Sequence, residues 1–229
     1  MTAPGTIKSY FTSSFPRAAA VYQNLRRSLT SGPSLESVFR EIYHNNTWKN
    51  SESVSGRGST LLRTEVIMRS LPPLLREIGV RTLLDAACGD FNWMQHTALE
   101  DIKYIGIDIV PELVDSNRSR YANAQRKFLT RDVSKNRLPQ ADAILCRDCL
   151  IHLSFARINR TISNFKRNRA KYLLCTTHNS IVQNIDCPDG DWRSINLQID
   201  PFNFPTPIRL IVEDEEAGKC LGLWRVDEL

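Results

Sequence analysis

With 229 residues, 41% of them apolar and 24% charged, the chain has the material for one folded domain with a sizeable core and too little for two full ones. No apolar run reaches the roughly 18 residues that a membrane-spanning helix needs, so no membrane partner is expected. A formal net charge of +5 permits an acidic partner without requiring nucleic acid.

Residues 1–35 hold no Asp or Glu but carry Lys8, Arg17, Arg26 and Arg27 among many Ser and Thr, the composition of a basic targeting leader. They lack the apolar centre of a secretory signal and are read instead as an N-terminal arm. Ser34 is placed to cap a helix over 35–44, and 59–78 reads as helical with an interruption at Pro72-Pro73. Between them, WKNSESVSGRGSTLL is rich in Ser and Gly and reads as a loop. The chain therefore divides into a helical arm with a lid loop, 1–58, and a main domain, 59–229.

From residue 81 onward, short β-rich apolar runs alternate with amphipathic stretches: 81–87, 104–109, 127–130, 142–147, 171–177, 207–213 and 220–226. Pro111 opens a helix at 111–125, and Ser154 is placed to cap one at 154–168, with Phe155, Ile158, Ile162 and Phe165 on one face. The link EDEEAGK is too short for a crossover, so the last two strands form an antiparallel hairpin. The expected fold is α/β: a Rossmann-like, seven-stranded, mostly parallel sheet with helices on both faces and a final antiparallel hairpin. Most of the six cysteines lie inside apolar runs, which suits reduced thiols in a cytoplasmic compartment. Cys146-x-x-Cys149 has no second pair to complete a zinc site, so no metal is expected.

The stretch LLDAACGDFNW, residues 83–93, turns from buried strand to tight polar loop where a doubly wound sheet admits its ligand. Ala86, Ala87, Cys88 and Gly89 are small enough to let a ligand reach the backbone, and Asp85, Asp108 and Asp132 stand at three strand ends, as in a nucleoside site. The loop has one glycine followed by Asp90, which would repel a pyrophosphate and argues against a nicotinamide dinucleotide. S-adenosylmethionine, with its sulfonium and free amine, suits such a loop.

The run from Asp85 to Gly89, the position of Asp108 and the final hairpin together resemble a class I S-adenosylmethionine-dependent methyltransferase over about residues 60–229, with Ala87 where many members have glycine. The wider pattern, WKNSESVSGRGSTLLRT followed by LLDAACGDFNWM, resembles a bacterial subgroup that includes sugar O-methyltransferases. The resemblance implies that Asp85, Ala87 and Gly89 shape the methionine end of the cofactor site, that Asp108 with Ile109 meets the ribose, and that Asp132 and Val133 meet the adenine. It further implies that Trp48, Ser55, Gly56 and Ser59 close over the cofactor, with Arg147 beside it.

Methyl transfer to a hydroxyl needs in-line placement and a base. After the fourth strand, Asp148 and His152 are four apart; His152 is the first candidate base and Asp148 its orienter or a substrate ligand. After the fifth comes TTH, ending in His178, the second candidate, and then a polar connection containing DGDWRSIN; Thr176, Asp191, Trp192, Arg193 and Asn196 suit a polyhydroxylated acceptor, and Trp93 is placed to line its pocket. The expected activity is O-methylation of a sugar or other small polar metabolite. The alternatives are an RNA methyltransferase, disfavoured because RDCL replaces the Asn/Asp-Pro-Pro-aromatic turn of base-amine enzymes, and a cofactor-binding partner protein without turnover.

Overall fold

The computed structural model describes residues 32–229, and nearly all of the segment read as a basic arm lies outside them. A compact unit runs from Leu35 to Leu229, so residues 35–58, grouped by sequence with the arm, pack with the sheet.

Seven strands, β1 (Thr82–Ala86), β2 (Lys103–Asp108), β3 (Arg126–Thr130), β4 (Ala143–Cys146), β5 (Tyr172–His178), β6 (Arg209–Asp214) and β7 (Lys219–Arg225), form one sheet in the order β3-β2-β1-β4-β5-β7-β6. β1 to β5 pair in parallel, and β7 enters antiparallel between β5 and β6. Among the described residues four helices accompany it: α1 (Leu35–His44), α2 (Leu61–Glu77), α3 (Pro111–Tyr121) and α4 (Phe155–Asn168). The expected α/β fold is thus the observed one, and the strand order reverses between β1 and β4, which leaves a crevice above their carboxyl ends.

The period-2 alternation of the strands splits the core between the two faces. Leu83, Leu145, Leu174 and Leu221 meet Ile67, Leu71 and Leu75 of α2 on one face, whereas Leu84, Ile144, Leu173 and Trp224 meet Ile158, Ile162 and Phe165 of α4 on the other. Near the sheet edge Trp224 is fully buried and donates Nε1–H to the Pro205 carbonyl at 2.8 Å. Its ring lies over Gly222, where an added Cβ would overlap it. Gly222→Ala is expected to cost about 1–3 kcal/mol, read as a lower urea midpoint at unchanged slope.

Two local expectations are corrected. Helix α2 is continuous through Pro72-Pro73. The carbonyls four residues back lose their amide donors, but Leu71, Pro72, Leu74 and Leu75 are all buried, and that packing outweighs the lost bonds. Ser154 occupies the cap position of α4 without a side-chain cap bond; instead Asp189 accepts from the Ser154 amide at 2.8 Å and Asp186 from the Phe155 amide at 2.7 Å. A carboxylate carried by a distant loop serves the first turn better than a hydroxyl, because it also complements the helix dipole.

Candidate active site

The cleft above β1, β2 and β4 encloses about 1000 Å³ including its open mouth. Its floor is the β1 loop, from Asp85 through Ala87 to Gly89. Gly89 has φ +55, and an added Cβ would run into the Ser55 hydroxyl. Asp85 is 4% exposed and accepts from the Tyr104 hydroxyl at 2.7 Å; burial pushes its carboxyl up to about 7, against the pull of that bond and of Arg147. Asp108, also buried, accepts from the Gly89 amide at 3.1 Å and the Val110 amide at 3.1 Å, and burial raises its carboxyl too. Ile109 and Val133 line the cleft beside Arg131, whereas Asp132 does not: its Oδ1 accepts from the Ser134 amide and hydroxyl and holds the turn after β3.

The loop between α1 and α2 closes one side. Asp90, read from sequence as a bar to phosphate, is its anchor: it accepts from the Ser53 hydroxyl at 2.8 Å, the Val54 amide at 2.9 Å and the Ser55 hydroxyl at 3.2 Å. Ser55, Ser59 and Trp48 face the cleft, and Gly56, at φ +89, lies under Trp48 rather than in it. The same loop reaches β4 through the Gly58 carbonyl, which accepts from Arg147 at 2.9 Å.

Arg147 is the centre of a buried charge quartet. Its guanidinium bonds Glu213 at 2.6 and 2.9 Å and stands 3.3 Å from Asp148, while Lys219 bonds Asp148 at 2.6 Å and stands 3.5 Å from Glu213. Burial alone would raise the Asp148 carboxyl; Arg147 and Lys219 overcome it and hold it at about 2. Thr176 joins this group by accepting from the Asp148 amide at 2.9 Å. Trp93 lines the cleft with the Arg147 guanidinium 5.4 Å from its ring.

His152 lines the cleft, with its ring 5.0 Å from that of Trp48. The expectation that Asp148 orients it is corrected: Asp148 is held by Lys219, Arg147 and Thr176, and His152 Nδ1 lies 2.9 Å from the Asp191 carbonyl. A carbonyl only accepts, so Nδ1 carries the proton and the neutral ring keeps its lone pair on Nε2. Burial lowers the His152 pKa, which keeps the ring neutral. His178, the second candidate base, is 3% exposed at the end of β5, lies outside the cleft lining and has Nδ1 3.3 Å from the Ile195 carbonyl.

The four residues read as acceptor ligands also lie outside the lining. Trp192 is exposed, Arg193 bonds the Leu150 and Leu153 carbonyls, Asn196 is buried in a bond to the Ile181 carbonyl, and Asp191 contributes its backbone to His152. Sequence reasoning missed Leu35, Phe39, Ile42 and Tyr43 of α1, which roof the cleft; their i, i+4, i+7, i+8 spacing was the available signal. It also missed Glu213 and Lys219. Among the described residues no group of three His, Cys, Asp or Glu side chains is placed to hold a metal ion, and no helix is long and apolar enough to cross a membrane.

Residues 83–171 match the family profile of a methyltransferase domain. No curated protein matches the sequence. Among solved structures, magnesium protoporphyrin IX methyltransferase from Synechocystis PCC 6803, with bound S-adenosylmethionine, superposes with TM-score 0.59 at 15% identity, over 85% of this chain and 97% of that one. The 1,6-didemethyltoxoflavin-N1-methyltransferase of Burkholderia thailandensis gives 0.55 at 15% identity, over 86% and 92%. Human N-acetylserotonin methyltransferase gives 0.57 at 14% identity over 85% of this chain, which spans only 60% of that protein. Sequence match and sheet order agree: residues 83–171 match a methyltransferase domain, and the chain has the Rossmann-like fold of these methyltransferases.

Proposed function

We propose that the protein transfers the methyl group of S-adenosylmethionine to a hydroxyl of a small acceptor, with His152 as the base. The observation that carries this reading is the pair of buried carboxylates, Asp85 and Asp108, facing one cleft above small residues, with the free nitrogen of a neutral imidazole on the same lining. Two carboxyls raised by burial favour a ligand that brings an ammonium group to one and hydroxyl donors to the other, which fits the methionine amine and the ribose. Val133 and Ile109, with Phe39 of α1, offer the apolar walls an adenine needs.

When bound, S-adenosylmethionine supplies a methyl group made electrophilic by its sulfonium. His152 Nε2 takes the hydroxyl proton as the new O–C bond forms, and the electron pair of the broken C–S bond stays with sulfur. Trp48 and the serine loop keep water from the site. Because Arg193 and Asn196 are engaged in internal bonds and Asp191 gives its backbone carbonyl to His152, what supports a sugar acceptor reduces to the exposed Trp192 and the resemblance to sugar O-methyltransferases; a small metabolite with an apolar or aromatic face suits the roof of α1 equally.

Calorimetric titration with S-adenosylmethionine, S-adenosylhomocysteine and NADH tests the cofactor. Binding of the first two without the third is expected, and NADH binding alone would overturn the reading. The pH dependence tests the site. Asp85 must lose its proton to meet an ammonium group, so with its carboxyl at about 7 the affinity is expected to weaken about tenfold between pH 8 and pH 6. That part of the dependence should vanish in Asp85→Asn; a wild-type slope equal to the variant's would remove Asp85 from the site.

A further inference from the structure

The run Asp189–Arg193, read from sequence as an acceptor site, follows the turn that carries His152 residue by residue. Arg193 reaches the Leu150 carbonyl with one terminal nitrogen at 2.8 Å and the Leu153 carbonyl with the other at 2.5 Å. Its own amide donates to the Ile151 carbonyl at 3.1 Å, and the Gly190 amide donates to the His152 carbonyl at 2.8 Å. Four successive carbonyls, from Leu150 to Leu153, are thus bound from a segment some forty residues away in sequence. The turn they belong to is a single 3-10 turn, Leu150–His152, which satisfies from within only the Leu150 carbonyl, through the Leu153 amide at 3.1 Å, and is too short to satisfy the rest.

Between the two ends of this grip lies the Asp191 carbonyl, 2.9 Å from His152 Nδ1. We propose that Arg193 is a positioning residue for His152: by gripping the Leu150–Leu153 turn it holds the Asp191 carbonyl against Nδ1 and so fixes the tautomer whose lone pair, on Nε2, is available as the base. This rests on the reading of His152 as the base. The planar guanidinium spans two carbonyls at once, and a lysine ammonium, a point donor on a flexible stem, does not reproduce that fork. Gly190 lies against Val38 and Ile42 of α1, so the helix that roofs the cleft and the turn that carries the base share one support.

The test is nitrogen-15 spectroscopy of the imidazoles in full-length protein saturated with S-adenosylhomocysteine, with His152→Asn used to assign the signal. In the wild type, His152 is expected as a single tautomer protonated at Nδ1. In Arg193→Lys and Arg193→Gln that signal should be lost to averaging or to protonation at Nε2, with the His178 signals and S-adenosylhomocysteine affinity unchanged. If both variants that bind S-adenosylhomocysteine keep the wild-type tautomer, Arg193 does not position the base, while the reading of His152 stands. A wild-type His152 protonated at Nε2 would overturn the base reading itself. If Arg193→Lys also loses S-adenosylhomocysteine binding and the His178 signals, Arg193 serves the fold as a whole and the positioning role is overturned.

Discussion

His152→Asn is expected to slow methyl transfer by about 10²–10⁴-fold while leaving S-adenosylmethionine affinity within a few-fold of wild type. The asparagine amide can still donate to the Asp191 carbonyl that now takes the Nδ1 proton, so the support of the turn survives and only the lone pair on Nε2 is lost. Turnover is read as S-adenosylhomocysteine released in the presence of a hydroxyl acceptor found by screening. The burial that lowers the His152 pKa also sets the pH response once S-adenosylmethionine is saturating at every pH: the base is neutral, and therefore active, down to below the usual histidine range, so the acid limb of the saturated rate should lie below about 6.5. Asn at 152 should abolish that limb as well as the rate. Equal turnover in the variant would show that positioning of the hydroxyl against the methyl group is sufficient and that no side-chain base takes part. A matched loss in His178→Ala would indicate instead that the buried ring at the end of β5 supports the site through packing, since it has no face on the cleft.

The fold was legible because its signals are local. Most strands are built on a short apolar run, and the short polar link EDEEAGK left the last pair no option but a hairpin. Asp85 and Gly89 were legible for the same reason, since a strand end followed by small residues is visible in a window of ten, and Asp108 by its place at the end of the next strand; all three line the cleft. The errors fall where distant segments decide. Nothing near Ser154 says that Asp186 and Asp189 will cap α4 in its place, and nothing near His152 says that its partner will be a backbone carbonyl thirty-nine residues on rather than the carboxylate four residues before it. Pro72-Pro73 reads as a break because the sequence shows the lost hydrogen bonds, whereas the packing that offsets them is tertiary. Glu213 and Lys219 were passed over as ordinary hairpin charges. Glu213 lies at an irregularity of β6 between Val212 and Asp214, where the strand's alternation breaks, so no local pattern marks its carboxylate as turned inward.

Arg147→Met is expected to destabilise the protein by about 3–5 kcal/mol, because it leaves two buried carboxylates with one cation between them. The side chains of Arg147 and Glu213 are 3% and 2% exposed, so neither charge can relax into water, and one oxygen of Glu213 already has no partner among the described residues. Methionine keeps most of the packing volume, which confines the change to the charge and its hydrogen bonds. The pH dependence separates this from a packing defect. Burial raises the Asp148 carboxyl, yet Arg147 and Lys219 depress it to about 2, below its ordinary 3.8. A depressed carboxylate contributes stability that is present above the unfolded value and lost as the pH falls through the folded one. The wild type should therefore lose that contribution between about pH 4 and pH 2, whereas the variant, lacking the guanidinium, has less of it to lose. The gap in unfolding free energy between the two proteins should narrow as the pH falls through that window; a gap constant with pH would mean that Arg147 acts through its contacts with Trp93 and the Gly58 carbonyl rather than through the quartet. The quartet also ties β4, the hairpin and the loop over the cleft to one point, so the same substitution should weaken cofactor binding through the loosened loop.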